Sequence, residues 1–458
     1  MKIASKVLGL LMIASIVAGC NNKNSAPLVL SLDLSDAIAL FNGNNCTPDY
    51  TDGPGGFGLY KTDENGVTKR VHVKTKSSDD DKYFYQKAIH TDFLEVSDEY
   101  FYARLGTFDI NSNYFVNKKT GEAYRIEGNY HYSRYSYWWD STNPIRDFSK
   151  DNNGNFYSRA YDYKLKHDVL VKFTFVKNKV KVSTIGKIAE DNNDCYYFND
   201  YAADKDGNIA YRGLVNTAYN WYFVTADNKV IPIDHKKAVW VGYDGAIYAY
   251  KDQDIEKITY DKATDVLSTT VVRSYPELGS LDLVNNKLLY IDKTQQIYAY
   301  GTSSDYDFVL YQIYGENALE KPVSFSTDVL SYTTARSNYF MQNYGYGYSN
   351  IDCDEDTIYV NTYDGESFVI NKLDTTKNLE LSQVKYSVEY NDGTRFLNNK
   401  KMLIFYWGYN PINTPEGKST AAMSVGILDV NTGTLSKQDT FVTGNSDRSS
   451  VINLKSYK

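Results

Sequence analysis

The chain predicts an all-β protein, and the architecture that fits best is a single β-propeller of seven or eight blades. Tyrosine is the outlier of the composition, with 44 copies among 458 residues, and it favours half-buried pleated surfaces. Proline is scarce, at 9 residues, so turns fall to glycine, asparagine and aspartate. A short turn-then-strand unit recurs along the chain, as in stacked repeat folds. Two β-sandwich domains or another β-repeat array are the alternatives.

The recurring unit is clearest between Tyr243 and Tyr250, where an Asp-Gly turn precedes an alternating apolar run that ends in tyrosines. Eight such cores occur, at 56–60, 98–102, 154–157, 207–211, 245–250, 286–290, 356–360 and 399–404. Their mean spacing is roughly 49 residues, close to the length of a four-stranded blade. The longest gap, from 286 to 356, predicts an inserted loop or part of another blade.

The elements outside the cores predict how the ring closes. A strand over 28–32 is expected to complete the last blade beside the C-terminus, and 35–40 could form a short helix. No composition shift marks a boundary inside 28–458, so this range is expected to be one repeat domain.

The N-terminal 19 residues have the features of a secretion signal. Lys2 and Lys6 form a basic start, and an apolar run over 7–17 is too short to span a bilayer. The run ends in Val17-Ala18-Gly19-Cys20, which resembles the lipobox of bacterial lipoproteins.

That resemblance implies cleavage before Cys20 and lipid on its sulfur, so the mature protein would be held on a membrane through that residue. Residues 20–27 would be the lipidated tether. In a Gram-negative organism, Asn21 favours the outer membrane over the inner one.

Net charge limits the classes of partner, and cysteine content limits the number of disulfide bonds. The formal charge of −8 disfavours nucleic acid and anionic lipid surfaces as partners of the folded body. Three cysteines remain after Cys20, namely Cys46, Cys195 and Cys353, so at most one disulfide could form within the chain.

No stretch carries a catalytic, cofactor or metal signature. The five histidines show no metal-ligand spacing, and the chain has no Gly-x-Ser-x-Gly nucleophile turn. Acidic runs at 151–155, 204–208 and 352–356 hold oxygen donors, but all three occupy turns of the repeat. We therefore predict turn chemistry rather than calcium sites, and no cofactor.

Aromatic clusters provide the candidate ligand-binding residues. Residues 130–140 crowd six tyrosine and tryptophan rings together, and 344–348 alternate tyrosine with glycine, which packs poorly in a core strand. The candidates are Tyr132, Tyr135, Tyr137, Trp138, Trp139, Tyr344, Tyr346 and Tyr348. Two other clusters, at 219–223 and 405–409, are expected to pack between blades.

These patterns together predict a lipid-anchored binding or scaffold module of the cell envelope, with an envelope protein or a glycan as its partner. One alternative is a carbohydrate-active enzyme, which would need two carboxylates converging in the central funnel. The other alternative is a purely structural surface protein.

Overall fold

A computed structural model describes residues 29–44, 57–65, 67–71, 73–75, 78–82, 93–106, 111–127, 130–131, 148–162, 164–188, 200–215, 218–275, 288–303, 307–316, 321–331, 351–388, 390–397, 400–413, 419–436, 439–442 and 451–454. Within these ranges, thirty-six strands account for nearly all of the regular structure, beside a 3-10 turn at Thr375–Lys377. Over the described ranges, no helix has the length and apolar character needed to cross a bilayer.

The strands form eight antiparallel sheets, numbered here 1 to 8. Sheet 1 joins both ends of the chain, in the order β36-β2-β3-β4: Val451–Asn453 (β36), Ala39–Asn44 (β2), Phe57–Thr62 (β3) and Thr68–Arg70 (β4). Sheet 2 has seven strands: Val29–Leu32 (β1), Val73–Thr75 (β5), Ser78–Lys82 (β6), Phe93–Glu95 (β7), Tyr100–Gly106 (β8), Asn111–Asn117 (β9) and Glu122–Arg125 (β10).

Sheets 3 to 5 follow the chain without interruption. Sheet 3 contains Tyr130–His131 (β11), Ser149–Lys150 (β12), Phe156–Asp162 (β13), His167–Val176 (β14) and Lys179–Lys187 (β15). Sheet 4 contains Tyr201–Ala203 (β16), Ile209–Val215 (β17), Ala218–Val224 (β18) and Val230–Ile233 (β19). Sheet 5 contains Ala238–Val241 (β20), Ile247–Lys251 (β21), Asp254–Asp261 (β22) and Val266–Ser274 (β23).

Sheets 6 to 8 repeat the four-stranded pattern. Sheet 6 contains Leu289–Ile291 (β24), Gln296–Thr302 (β25), Phe308–Tyr314 (β26) and Val323–Phe325 (β27). Sheet 7 contains Ile351–Cys353 (β28), Thr357–Tyr363 (β29), Phe368–Asp374 (β30) and Glu380–Tyr386 (β31). Sheet 8 contains Tyr390–Phe396 (β32), Lys401–Asn413 (β33), Ser419–Asp429 (β34) and Asp439–Val442 (β35).

The sheets are blades of a propeller. Every consecutive pair, from sheets 1 and 2 to sheets 7 and 8, shares a buried apolar core. Equivalent first strands contact one another, as β16 contacts β20 and β28 contacts both β24 and β32. Such contacts arise where first strands converge on a common axis, so the predicted all-β propeller is confirmed, with eight blades.

The ring closes differently from the expectation. The C-terminal strand β36 does complete a blade built from the N-terminal part of the chain, but it pairs with β2 through Phe41 and Val451. Strand β1, which covers most of 28–32, instead extends the outer edge of sheet 2 by pairing with β10 and β5. The short helix predicted at 35–40 is wrong, because a turn at 35–36 leads directly into β2.

The predicted repeat phase holds in six of the eight cores, which mark the second strand of a blade, whereas the core at 56–60 lies in β3, the third strand of sheet 1. The core at 286–290 is the other exception, since Leu289 and Tyr290 belong to β24, the first strand of sheet 6. The second strand there is β25, about ten residues later, and this shift accounts for part of the long 286–356 interval. The rest of sheet 6 and β28 of sheet 7 also lie inside it.

Candidate functional site

The turn between the first and second strands of a blade, here called the inner turn, is built around an aspartate. In sheet 3, Asp151 Oδ1 accepts hydrogen bonds from the backbone amides of Asn153 and Asn155, each at 2.9 Å. Its Oδ2 accepts from Asn155 Nδ2 at 2.7 Å and from the Tyr157 hydroxyl at 2.8 Å. The carboxylate therefore satisfies the turn and the strand that follows it, which explains why aspartate precedes tyrosine in the repeat.

The same device recurs in other blades. Asp204 Oδ1 accepts from the amides of Asp206 and Asn208 in sheet 4. In sheet 7, Asp354 accepts from the amide of Thr357 at 2.7 Å and from the Tyr359 hydroxyl at 2.8 Å. The interpretation of the acidic runs as turn chemistry is thereby confirmed.

Backbone hydrogen bonds join neighbouring inner turns into a belt on one face of the ring. The amide of Asn152 donates to Lys205 O at 2.8 Å, and the amide of Lys205 donates to Gly245 O at 3.0 Å. Further along, the amide of Lys293 donates to Glu355 O at 2.8 Å. Loops on this face are therefore held rigidly by the sheets below them, which is the setting in which binding residues commonly occur.

A cleft of about 550 Å³ opens beside this belt, between sheets 5 and 6. This volume falls within the roughly 300–1,000 Å³ typical of small-molecule sites. Its described lining consists of Tyr248, Val272, Arg273, Lys293, Thr294, Gln295, Ile313, Tyr314, Gly315 and Glu316.

Two tyrosines form the aromatic wall of the cleft. Tyr248 and Tyr314 meet edge to face with ring centroids 5.1 Å apart. The Tyr248 hydroxyl donates to Asp244 Oδ2 at 3.0 Å, and the Asp244 amide donates to the Tyr314 hydroxyl oxygen at 3.1 Å. Burial, together with the adjacent Asp244 carboxylate, raises the pKa of Tyr248 above its ordinary value, so its hydroxyl stays neutral and both rings are fixed by the inner turn.

The basic side chains of the cleft are already engaged by the protein. Arg273 donates to the carbonyl oxygens of Gln312 and Gly315, which belong to sheet 6 and the segment just after it. Lys293 Nζ donates to Asp356 Oδ2 at 2.9 Å. Lys293 is therefore paired with a carboxylate, whereas Arg273 is held in place by neutral carbonyl oxygens.

Thr294 lines the cleft and carries a hydroxyl group that lacks a hydrogen-bond partner in the described chain. Its Oγ1 is buried and makes no hydrogen bond within the described part of the chain. An unsatisfied buried hydroxyl costs on the order of 1–3 kcal/mol, and a ligand in the cleft could satisfy Oγ1 after a rotation of the Thr294 side chain, because Oγ1 itself is not exposed to the cleft. Gln295 and Glu316 line the same space and add hydrogen-bonding groups.

None of the predicted site residues is among the residues that the structure describes. Cys20, Tyr132, Tyr135, Tyr137, Trp138, Trp139, Tyr344, Tyr346 and Tyr348 are all outside the described residues, so their roles stay predictions. Packing between blades is confirmed for the 219–223 cluster, where Trp221, Tyr222 and Phe223 are buried against neighbouring sheets. Of the 405–409 cluster, the structure describes only the backbone, within β33.

Sequence reasoning missed the cleft residues. The 243–250 stretch predicted the repeat and no ligand-binding residue, yet its Tyr248 forms a wall of the cleft. The available signal was positional, because Lys293, Thr294 and Gln295 occupy the inner turn of sheet 6 and line the cleft. Of the later cysteines, Cys353 is described, and its thiol donates to Tyr290 O at 3.4 Å.

Comparison with known proteins adds little to this picture. No family model and no curated protein sequence matches the chain. Among solved structures, a protein from Lactobacillus plantarum aligns with 91% of this chain and 99% of its own, at 9% identity and a TM-score of 0.35. A eukaryotic initiation factor aligns over 90% and 98%, at 8% identity and 0.40, and the Dos1 propeller over 66% and 84%, at 10% identity and 0.30. At these scores the likenesses carry no inference about activity.

Proposed function

We propose that this protein is a lipid-anchored binding module of the cell envelope that holds a glycan in the cleft between sheets 5 and 6. The observation that carries the proposal is the buried, unpartnered Thr294 hydroxyl in a cleft walled by Tyr248 and Tyr314. Sugars offer apolar ring faces to aromatic side chains and hydroxyl groups that both donate and accept hydrogen bonds. The cleft presents the matching groups.

The cleft favours binding over catalysis. Glycoside hydrolysis generally uses two carboxyl groups about 5–9.5 Å apart. The described lining contains a single acid, Glu316.

Membrane attachment is the second part of the proposal, and it is supported by the Val17-Ala18-Gly19-Cys20 motif. Lipid on Cys20 would hold the protein on the membrane, the outer membrane in a Gram-negative cell, with residues 20–27 as tether. Metabolic labelling with a palmitate analogue tests it. Label and membrane fractionation should both be lost in Cys20→Ser, and a labelled or membrane-bound variant would contradict the assignment.

Glycan-array binding of Thr294→Val tests the cleft. Valine keeps the shape of threonine and removes a hydroxyl that has no partner, so we expect an unchanged or higher melting temperature with reduced glycan binding. Thr62→Val is a matched control, because Thr62 Oγ1 is also buried without a hydrogen bond in the described chain but lies in sheet 1. Glycan binding that is equal in both variants and the wild type would rule out the cleft as the site.

The same array assigns the glycan to the cleft or to the aromatic cluster at 130–140. A Tyr135→Ala, Trp138→Ala double variant should retain binding if the cleft is the site. Loss of binding only in the double variant would place the glycan on that cluster instead. Retention of an envelope protein in a pull-down, with no signal on the array, would favour a protein partner.

A further inference from the structure

Strand β23, the outermost strand of sheet 5, has an unusual edge. Five consecutive residues from Ser268 to Val272 are exposed, and the side chains of Val266 and Val271 are each 52% exposed. Residues 266 to 272 carry no charge. A long, uncharged edge strand presents unpaired backbone amides and carbonyls to other chains, a feature that monomeric proteins usually suppress.

The other described blades protect this edge. Strand β15 of sheet 3 carries Lys179, Lys181 and Lys187, and β31 of sheet 7 carries Glu380 and Lys385. In sheet 4, β19 is four residues long and contains a proline. In sheet 2, β1, β5 and β6 cover the outer side of β10. Charge, proline, shortness and added strands each deter edge pairing, and β23 has none of these over 266–271.

We propose that β23 is the pairing edge of a two-fold dimer, in which it adds antiparallel to β23 of a second copy of this chain. The two four-stranded sheets would then form one continuous sheet across the dimer axis. A two-fold interface uses the same patch on both copies, so the strand must be complementary to itself.

Residues 266 to 271 meet that requirement. When Thr269 lies opposite the partner's Thr269, Leu267 lies opposite the partner's Val271, and both side chains are on the same face of the sheet. The exposed Val271 then gains an apolar cross-strand neighbour, and the pair forms twice by symmetry. Regular pairing of 266–271 with β22 gives this segment the extended geometry that a new strand needs.

The charges at the two ends of β23 select a second copy in this orientation. Asp265 precedes the strand and Arg273 is near its end, with no charged residue between them. Antiparallel pairing brings the acidic end of each copy beside the basic end of the other, whereas a parallel arrangement would place like charges together. The uncharged centre avoids the repulsion that identical lysine-bearing edges would meet.

Sedimentation of the full-length protein in density-matched detergent tests the proposal. We expect the wild type to sediment at twice the monomer mass and Thr269→Lys to sediment as a monomer, because two lysines would meet at the centre of the paired strands. Ser382→Lys places the same charge at an exposed position on β31 and should leave the dimer intact. A monomeric wild type, or a dimeric Thr269→Lys, would overturn the proposal.

A charge swap tests the register and separates loss of pairing from misfolding. In the register centred on Thr269, Ser268 lies opposite the partner's Thr270, and both residues are exposed. Ser268→Lys combined with Thr270→Lys in one chain should abolish the dimer, whereas Ser268→Lys combined with Thr270→Glu should keep it, because position 268 then faces an opposite charge at the partner's 270. Failure of the Lys-Glu variant to dimerise would refute the register.

Discussion

The inner turns of sheets 4 and 7 are built on the same aspartate motif, yet they are joined to their neighbours in opposite ways. In sheet 4, the Asp204 carboxylate accepts hydrogen bonds from groups of its own turn, and the link to the next blade is the backbone bond from Lys205 N to Gly245 O. In sheet 7, Lys400 of sheet 8 reaches across to Asp354 and Asp356, at 2.6 Å each.

The difference shows that one local motif can be closed by two kinds of interaction. The sheet 4 turn contains a half-buried carboxylate whose hydrogen bonds, within the described part of the chain, come from neutral amide groups. The sheet 7 turn contains two carboxylates shared by Lys400 and Lys293. Stability should therefore depend on charge in sheet 7 and on backbone geometry in sheet 4.

The largest effect is expected for Asp354→Asn. The Asp354 side chain is 3% exposed, and its loss of charge removes one of the two carboxylates that hold Lys400. Removing one partner from a buried ion pair leaves the other charge poorly compensated, so we expect a loss of about 2–3 kcal/mol in the free energy of unfolding.

Urea denaturation measures that loss, and Asp364→Asn is its control. Asp364 pairs with Lys385 in the same sheet, but the Lys385 side chain is 64% exposed, so the same substitution should change stability little. Equal losses in the two variants would contradict the view that burial makes the Lys400 network stronger.

Gly245→Ala tests the backbone link between the inner turns of sheets 4 and 5. It should lower the free energy of unfolding by about 1–2 kcal/mol. Gly245 has φ of 75°, a left-handed conformation that is unfavourable for residues with a Cβ. An added Cβ would also lie 2.9 Å from Lys205 Cδ. Gly154→Ala is the matched control, because its φ of 74° is similar but nothing lies within 4 Å of an added Cβ. A larger loss for Gly245→Ala, measured by thermal unfolding, isolates the contact between turns.

Much of the fold was accessible from sequence because the aspartate turn and the tyrosine that bonds to it are neighbours in the chain. Tyr157, Tyr248 and Tyr359 each follow their turn by a few residues, so the repeat appears as a local pattern. The 286–290 core was assigned to the wrong strand of sheet 6, because Leu289 and Tyr290 of its first strand match the same pattern. The second strand of that sheet begins at Gln296.

The cleft could not be predicted from such a local sequence pattern. Tyr248 and Tyr314 are 66 positions apart, and they meet only because sheets 5 and 6 pack together. Composition and local spacing also contain no sign that Thr294 Oγ1 is buried without a partner. Which lysine of an inner turn finds a carboxylate likewise depends on the neighbouring blade, as Lys293 and Lys400 show.

Asp204→Asn should have a smaller effect than either substitution above, less than about 1 kcal/mol. Asparagine keeps an oxygen for the amides of Asp206 and Asn208, and it removes a half-buried charge. Only the bond from Asn208 Nδ2, at 2.8 Å, is lost. Urea denaturation beside Asp354→Asn makes the comparison direct, and a loss as large as that of Asp354→Asn would show that the charge at 204 is stabilising.

The stability of the protein at acidic pH should depend on the two turns in different ways, because their carboxyl pKa values are shifted in opposite directions. Burial raises the pKa of Asp204 above 3.8, against the hydrogen bonds from Asn208. Burial acts the same way on Asp356, but hydrogen bonds from Lys400, Lys293 and Thr357 outweigh it and hold the pKa of Asp356 well below 3.8.

Linkage converts these shifts into stability changes of opposite sign. The folded state binds the Asp204 proton more tightly than the unfolded state, so the wild type gains stability relative to Asp204→Asn as pH falls through the raised pKa towards 3.8. The stabilisation from Asp356 is complete above 3.8 and is lost as pH falls below that value. Relative to Asp356→Asn, the wild type should therefore lose its advantage on acidification. Urea denaturation of the wild type and both variants at a series of pH values measures the two slopes, and slopes of the same sign would refute the contrast between the turns.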